Sequence, residues 1–395
     1  MAPNDSTETT ERTSGRASRK MSRYVVPVAV AGVAAATIGL VPALAASGDP
    51  KLPEITAQEL VEKIAASDTQ TVSGTFKIST DLGLPSIAGL AEGLAGGGAG
   101  ASSADPQDKL AELVSGTHTL RVAADGPDRQ KLTVLDGSDE YSLIHNGEDV
   151  WAYDSKSNEV FHEKAETGGA KEEKELPSTP KEMADEILKA ADGTTSITVG
   201  GTAKVAGRDA YQLVIKPKQS GSTVESVKVA VDAENGVPLK FTLASTAGGK
   251  PVVDAGFTKV DFGRPAASTF DFKAPKGAKV TEGEVSEGGD SSAEHGKHAE
   301  ELEKGFADFA GMNVIGEGWT TIATLDTGAP APKTDEAPAE VKGFLDALGD
   351  KVSGKFGSGT VFKTKLVNAL MTDDGKVYVG AVTQDALVDA ANAAK

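Results

Sequence analysis

DEYSLIHNGEDVWAYDSKSNEVFH, residues 139–162, contains two strands and a turn, and the fold depends on how it is paired. Tyr141 and Leu143 alternate with Ser142 on the first strand. Asn146-Gly147 is a strong turn signal, because both residues tolerate the positive φ of a tight hairpin. Trp151 and Tyr153 stand two apart on the next strand and so share a face. A second turn at Ser155–Asn158 leads into Val160-Phe161. A lone hairpin cannot bury this much aromatic surface, so the stretch predicts a larger antiparallel sheet.

Alternating runs on both sides extend that sheet. Phe76 and Ile78 oppose Lys77 and Ser79; Leu120 and Val122 oppose Arg121; Leu132 and Val134 oppose Lys131 and Thr133. Farther on, Tyr211, Leu213 and Ile215 share a face, as do Val227, Val229 and Val231, and Leu239, Phe241 and Leu243. Nine or ten strands with one apolar and one polar side form an antiparallel sheet wetted on one face. Two helices accompany them. Thr56–Glu59 is a capping box ahead of Leu60, Val61 and Ile64, and Thr179-Pro180 with Glu182 starts a second helix ending at Gly193. Between the first strand and the next, residues 82–106 are Gly-rich and read as a loop insert or a lid. Two helices are too few to cover the apolar face. A curved sheet around an apolar cavity and a filled sandwich or barrel core both fit the pattern.

The chain has 395 residues, a net charge of −18, 45 glycines and no cysteine. Without cysteine there is no disulfide, thiolate metal site or cysteine nucleophile. The acidic body argues against nucleic acid as a partner. Residues 1–23 are polar and basic, and from Tyr24 to Ser47 there is no charge. A basic flank before an apolar segment keeps that flank cytoplasmic and sends the rest outward. Residues 24–46 fit both an uncleaved anchor and a signal peptide cut near Ala45, so the expected location is extracytoplasmic, either anchored or secreted.

Five segments together resemble the LolA family of lipoprotein carriers and the related RseB sensors: VSGTFKIST, IHNGEDVWAYDSKSNEV, AGRDAYQLVIKPK, VAVDAENGVPLKFTL and TKVDFGRPAASTFDFKAPKGAKV. They run in order over residues 55–282. The resemblance implies an incomplete antiparallel barrel with a helical lid and an apolar cavity that takes acyl chains. It departs at one place. The carriers have an Arg-Pro pair before the aromatic hairpin, where the Arg latches the lid; here that place reads Asp125-Gly126-Pro127, and Arg129 is out of position.

The expected architecture is thus α+β: a curved antiparallel sheet over residues 50–282, an acidic Gly/Ser linker over 283–297, and a small C-terminal α+β domain over 298–395. In that last domain Leu302, Phe306 and Phe309 mark one helix and Val341, Phe344, Leu345 and Leu348 another. GWTTIATL is a strand, residues 359–383 are a hairpin turning at Asp373–Gly375, and a last helix starts at Thr383. The face carrying Tyr141, Leu143, Trp151 and Tyr153 is expected to line the cavity. Leu120, Val122, Leu132, Val134, Leu213, Ile215, Phe241 and Leu243 are expected to join it. No nucleophile elbow, phosphate loop or metalloprotease motif is present. His295 and His298, with Glu294 and Glu301, read as linker, and the acidic pairs Asp139-Glu140 and Glu148-Asp149 as solvated. The function expected is a non-catalytic binding or carrier protein for lipids or lipoproteins, without a cofactor. The alternative is a sensor passing a lipid signal to a membrane regulatory protein.

Overall fold

The computed structural model describes residues 49–83, 104, 116–164, 181, 185, 188, 189, 191, 193–283, 313–326 and 349–394. The apolar segment 24–46, most of the Gly-rich insert, the acidic linker and two of the expected C-terminal helices lie outside the described residues, as does most of the helix expected after Thr179.

The first helix, α1 (Ala57–Ala65), starts where its capping box places it. The Thr56 hydroxyl accepts from Glu59 N at 3.2 Å, and the Glu59 carboxylate accepts from Thr56 N at 2.8 Å. Two otherwise orphaned amides are satisfied reciprocally.

A 12-stranded sheet follows. Its members are β1 (Thr71–Thr80), β2 (Gly116–Asp125), β3 (Arg129–Asp136), β4 (Asp139–Asn146), β5 (Asp149–Asp154) and β6 (Glu159–Lys164). They continue with β7 (Thr195–Val205), β8 (Arg208–Pro217), β9 (Val224–Asp232), β10 (Pro238–Ser245), β11 (Val253–Asp261) and β12 (Lys279–Glu282). The spatial order is β12-β6-β5-β4-β3-β2-β1-β11-β10-β9-β8-β7, with β12 and β7 as open edges. Most neighbours are hairpins, so the sheet is antiparallel, except that β12 pairs with β6 in parallel. Residues 263–278 make this possible by crossing from β11 to the far edge as a strap.

The β4–β5 turn differs from the expected one. Asn146 pairs with Asp149, so Gly147-Glu148 is the two-residue loop, and only Gly147 takes a positive φ, 68°. Glycine at the first central position is the II′ requirement. A two-residue loop opposes odd-numbered residues of β4 to even-numbered residues of β5. Tyr141 therefore pairs with Asp154 and Leu143 with Ala152, while Trp151 pairs with Ile144 and Tyr153 with Ser142. Directly paired residues share a face, so Trp151 and Tyr153 lie opposite Tyr141 and Leu143. The expected single aromatic face is corrected here.

The C-terminal region holds a second, six-stranded sheet. It comprises β13 (Asn313–Ile315), β14 (Ile322–Asp326), β15 (Gly349–Gly354), β16 (Gly357–Phe362), β17 (Asn368–Thr372) and β18 (Lys376–Gly380), in the order β13-β14-β18-β17-β16-β15. The hairpin turn at Asp373–Gly375 is present, but its first arm is two strands, broken by the loop at Lys363–Val367. The final helix, α2 (Gln384–Ala393), is capped by Thr383, whose side chain accepts from Ala386 N. Phe356, Val361, Leu370, Tyr378, Val382 and Leu387 form this domain's core.

Candidate functional site

The face of the large sheet on which α1 sits is its inner face. Over β8 and β9, Leu60 and Val61 of α1 pack with Tyr211, Leu213 and Val231, all buried. Ile197, Val199, Ile215 and Val229 complete that contact. The turn at the end of β9 seats the helix. Lys63 Nζ donates to the Glu234 carbonyl at 3.2 Å, and Gly236, at φ 76°, lies so close to the Lys63 carbonyl that a Cβ would clash. Only glycine combines that φ with that approach.

Asp232, which is 1% exposed, organises this turn. Its carboxylate accepts from Arg208 Nε at 2.6 Å and Nη2 at 2.9 Å, and from the amides of Glu234 and Asn235. Burial alone pushes this carboxyl up, but the Arg208 guanidinium and the two amides outweigh burial and hold it below the usual carboxylate range. Arg208 is raised by its hydrogen bond to Asp232. It also lies over the Phe262 ring, 5.3 Å from the centroid. A cleft of about 420 Å³ opens beside this pair, lined by Leu52, Lys204, Asp209 and Glu234 among others. It is polar, and Lys204 is paired with Asp209, so it is no acyl-chain site.

Away from α1 the inner face carries a continuous apolar row. Val122 pairs with Leu132, Leu132 with Leu143, Leu143 with Ala152 and Ala152 with Phe161. Except for Ala152, these side chains are only half-buried. A parallel row runs Leu120, Val134, Tyr141, of which Leu120 is fully buried. Tyr141 is pinned by its hydroxyl, which donates to the Ala104 carbonyl at 3.1 Å. Phe241 pairs with Ala255 and Leu243 with Val253 on the same face, and Phe241 joins Leu120, Val122, Leu132 and Val134 in one cluster with Phe76 and Ile78.

The structure thus gathers ten of the twelve expected cavity residues on one face and divides them. Leu213 is packed against α1, Leu120 belongs to the core, and Val122, Leu132, Val134 and Leu143 form the half-buried stretch.

Trp151 and Tyr153 belong to the outer face, where they meet the strap. Phe270 of the strap is fully buried, and Phe272 sits 5.4 Å from the Trp151 ring and 5.9 Å from Tyr153. His162 stacks on Trp151 at 3.6 Å. Its Nδ1 faces Glu282 at 2.6 Å and its Nε2 faces Asp149 at 2.9 Å, so the ring fastens β12 to the sheet. Asp149, expected to be solvated, keeps a side chain 46% exposed while facing His162. Sequence reasoning missed this cluster, although the Phe-x-Phe after β11 was the signal for it.

Arg129 is tied to Asp125 within its own hairpin at 2.5 Å, and Arg264 of the strap shares the same carboxylate. Among the described residues no cluster of histidine or acidic side chains is arranged to hold a metal ion, and no helix is long and apolar enough to cross a membrane. His295, His298 and the segment 24–46 lie outside them.

Comparison with known proteins bears on this sheet. A search of the curated proteins found no match. Among solved structures, the Pseudomonas aeruginosa MucA/MucB complex is similar at 15% identity over 85% of this chain and 96% of that one, with a TM-score of 0.37. An uncharacterized conserved protein from Thermus thermophilus is similar at 12% identity over 57% and 99%, with a TM-score of 0.31. A LolA superfamily protein from Nitrosomonas europaea is similar at 11% identity over 55% and 99%, with a TM-score of 0.21. Residues 110–275, from the approach to β2 through the strap, match the family model for the MucB/RseB N-terminal domain. The large-sheet domain of this chain is LolA/RseB-like, and its residues 110–275 are similar to the MucB/RseB N-terminal domain.

Proposed function

We propose that this chain is an extracytoplasmic, non-catalytic binding protein that takes an acyl chain of a lipid or lipoprotein along the inner face of its large sheet. The observation that carries this is the half-buried row Val122–Leu132–Leu143–Phe161, which crosses the β2–β6 side without a charge. Each methylene buried there gains about 0.8 kcal/mol, so ten gain about 8 kcal/mol before ordering costs. Part of the face is already filled by α1, which limits the ligand to the β2–β6 side. Native mass spectrometry of the purified protein tests the idea directly, with co-purified lipid as the expected result. Leu132→Asp and Leu143→Asp should abolish uptake, while Lys228→Glu, exposed on the opposite face, should leave it unchanged. A lipid-free protein that also ignores added fatty acid and phospholipid overturns the proposal.

A second reading, in which the protein is a sensor and a membrane regulatory protein reads the occupied state, is favoured by the C-terminal domain's contact with the large sheet. Capture of such a protein by the full chain, and its loss when residues 298–395 are removed, separates sensor from carrier.

A further inference from the structure

Three clusters of buried apolar side chains occur among the described residues, and each lies within one domain. Hydrogen bonds join the two sheets. Four hydroxyls, those of Thr195, Ser222, Thr223 and Ser245, are buried at one end of the large sheet, none more than 9% exposed. Each has its partner in the C-terminal domain. Ser245 Oγ donates to the Lys365 carbonyl and Thr223 Oγ1 to the Leu366 carbonyl. Ser222 Oγ donates to the Ala381 carbonyl at 3.2 Å, and Thr195 Oγ1 accepts from Trp319 Nε1 at 2.7 Å.

The loop between β16 and β17 makes further contacts. Lys365 N donates to the Leu82 carbonyl at 2.8 Å, and Lys365 Nζ meets Asp81 at 2.5 Å. Beside it, Gln219 donates to the Glu317 carbonyl and accepts from Trp319 N, both at 3.0 Å. Thr383 N donates to the Gly221 carbonyl at 2.7 Å.

We propose that this junction is a reversible latch, in which the C-terminal domain docks and leaves as a unit, with the β16–β17 loop as tongue and the hydroxyl-lined end of the large sheet as socket. Each domain keeps its own buried cluster when the two part. The hydrogen-bonding groups released are hydroxyls, carbonyls, backbone amides, the Gln219 amide, the Trp319 indole and one ion pair, all of which water can satisfy. Specificity comes from geometry, because four hydroxyls must find four partners at once. The inference does not depend on the acyl-chain reading.

The ion pair gives the latch a sign. The hydrogen bond from Lys365 holds the Asp81 carboxyl below its ordinary value, with the Gly83 amide and Lys250 contributing in the same direction. Docking therefore has its full contribution from this pair above the ordinary carboxylate range and loses it as pH falls through the docked value. Salt weakens the same pair, since the Asp81 side chain is 38% exposed.

Because the chain has no cysteine, spin labels can be placed at will. Ser138→Cys and Lys351→Cys, exposed on the two domains, report the inter-domain distance in the full chain by pulsed electron resonance. Wild type should give a narrow main distance with a minor longer component that grows with salt. Ser245→Ala, Thr223→Val and Lys365→Ala should each raise the undocked-to-docked ratio about fivefold, the worth of one net hydrogen bond. Circular dichroism checks folding, and if Lys365→Ala fails to fold, the two hydroxyl variants decide. A single narrow distance that none of the folded variants broadens overturns the proposal, as does a long component that they leave unchanged.

Discussion

Replacing Asp232 by alanine tests how the inner face is kept covered. The carboxylate is 1% exposed and accepts four hydrogen bonds, two of them from Arg208. Removing one member of a buried charged pair costs about 3–5 kcal/mol, because the other charge is left unpaired. Arg208 is 31% exposed and retains Glu234 as a second acceptor, so water and that carboxylate recover part of the loss. The two turn amides at Glu234 and Asn235 lose their acceptor, which adds about 1 kcal/mol. The balance is about 3 kcal/mol, read from guanidinium unfolding at pH 7. Asp232 sits below its ordinary value in the native state, so its stabilisation is complete above the unfolded carboxylate range and lost as pH falls through the native value. The variant should therefore be less stable at pH 7 and show a shallower further loss in acid. The Asp232→Ala, Arg208→Met cycle should give a coupling of about 1–2 kcal/mol. A loss below about 1 kcal/mol, or an acid slope identical to wild type, refutes the reasoning.

Leu60→Ala, which empties a fully buried site under α1, should cost about 2–5 kcal/mol in the same assay. Gly236→Ala should lower stability by about 1–2 kcal/mol from φ strain alone, and by more from the clash with the Lys63 carbonyl, measurable as a fall in Tm. His162→Ala should leave the β7–β11 side intact while amide exchange at Val280–Glu282 speeds up, since β12 loses its contact through Glu282. Phe272→Ala, removing a half-buried ring, should cost about 2 kcal/mol and red-shift Trp151 emission.

The large sheet was legible because its strands alternate so cleanly. A period of two is unambiguous when Lys77 and Lys131 interrupt the apolar residues, and Thr56–Glu59 fixes the start of α1 by hydrogen-bond chemistry alone. Which face each strand presents was less legible. Alternation assigns sides within a strand, but only the turn assigns sides between strands, and the loop at Gly147-Glu148 put Trp151 and Tyr153 with Ile144 and Ser142. Aromatic weight drew both residues toward a cavity, yet they meet Phe272, which comes from the strap more than a hundred residues later. The end-on contact between the domains was illegible for a different reason. Ser222, Thr223 and Ser245 look like ordinary strand-end hydroxyls until their partners at Lys365, Leu366 and Ala381 are in place.

The chain leaves the large sheet at β12, one edge, while the C-terminal domain seats near the opposite side, at the ends of β7 to β10. Adjacent strands are about 4.8 Å apart, so crossing between those places takes roughly 40–55 Å along the sheet. Residues 284–312 bridge the gap, and a chain of roughly thirty residues reaches up to about 100 Å when extended. A covalent connection of that length keeps the domain within about 100 Å of its socket in any arrangement. Its local concentration at the socket is then of millimolar order whatever the amount of protein present. Recapture becomes a property of one molecule: diluting the protein leaves the docked fraction unchanged, whereas cutting the tether between residues 284 and 312 makes it fall with concentration.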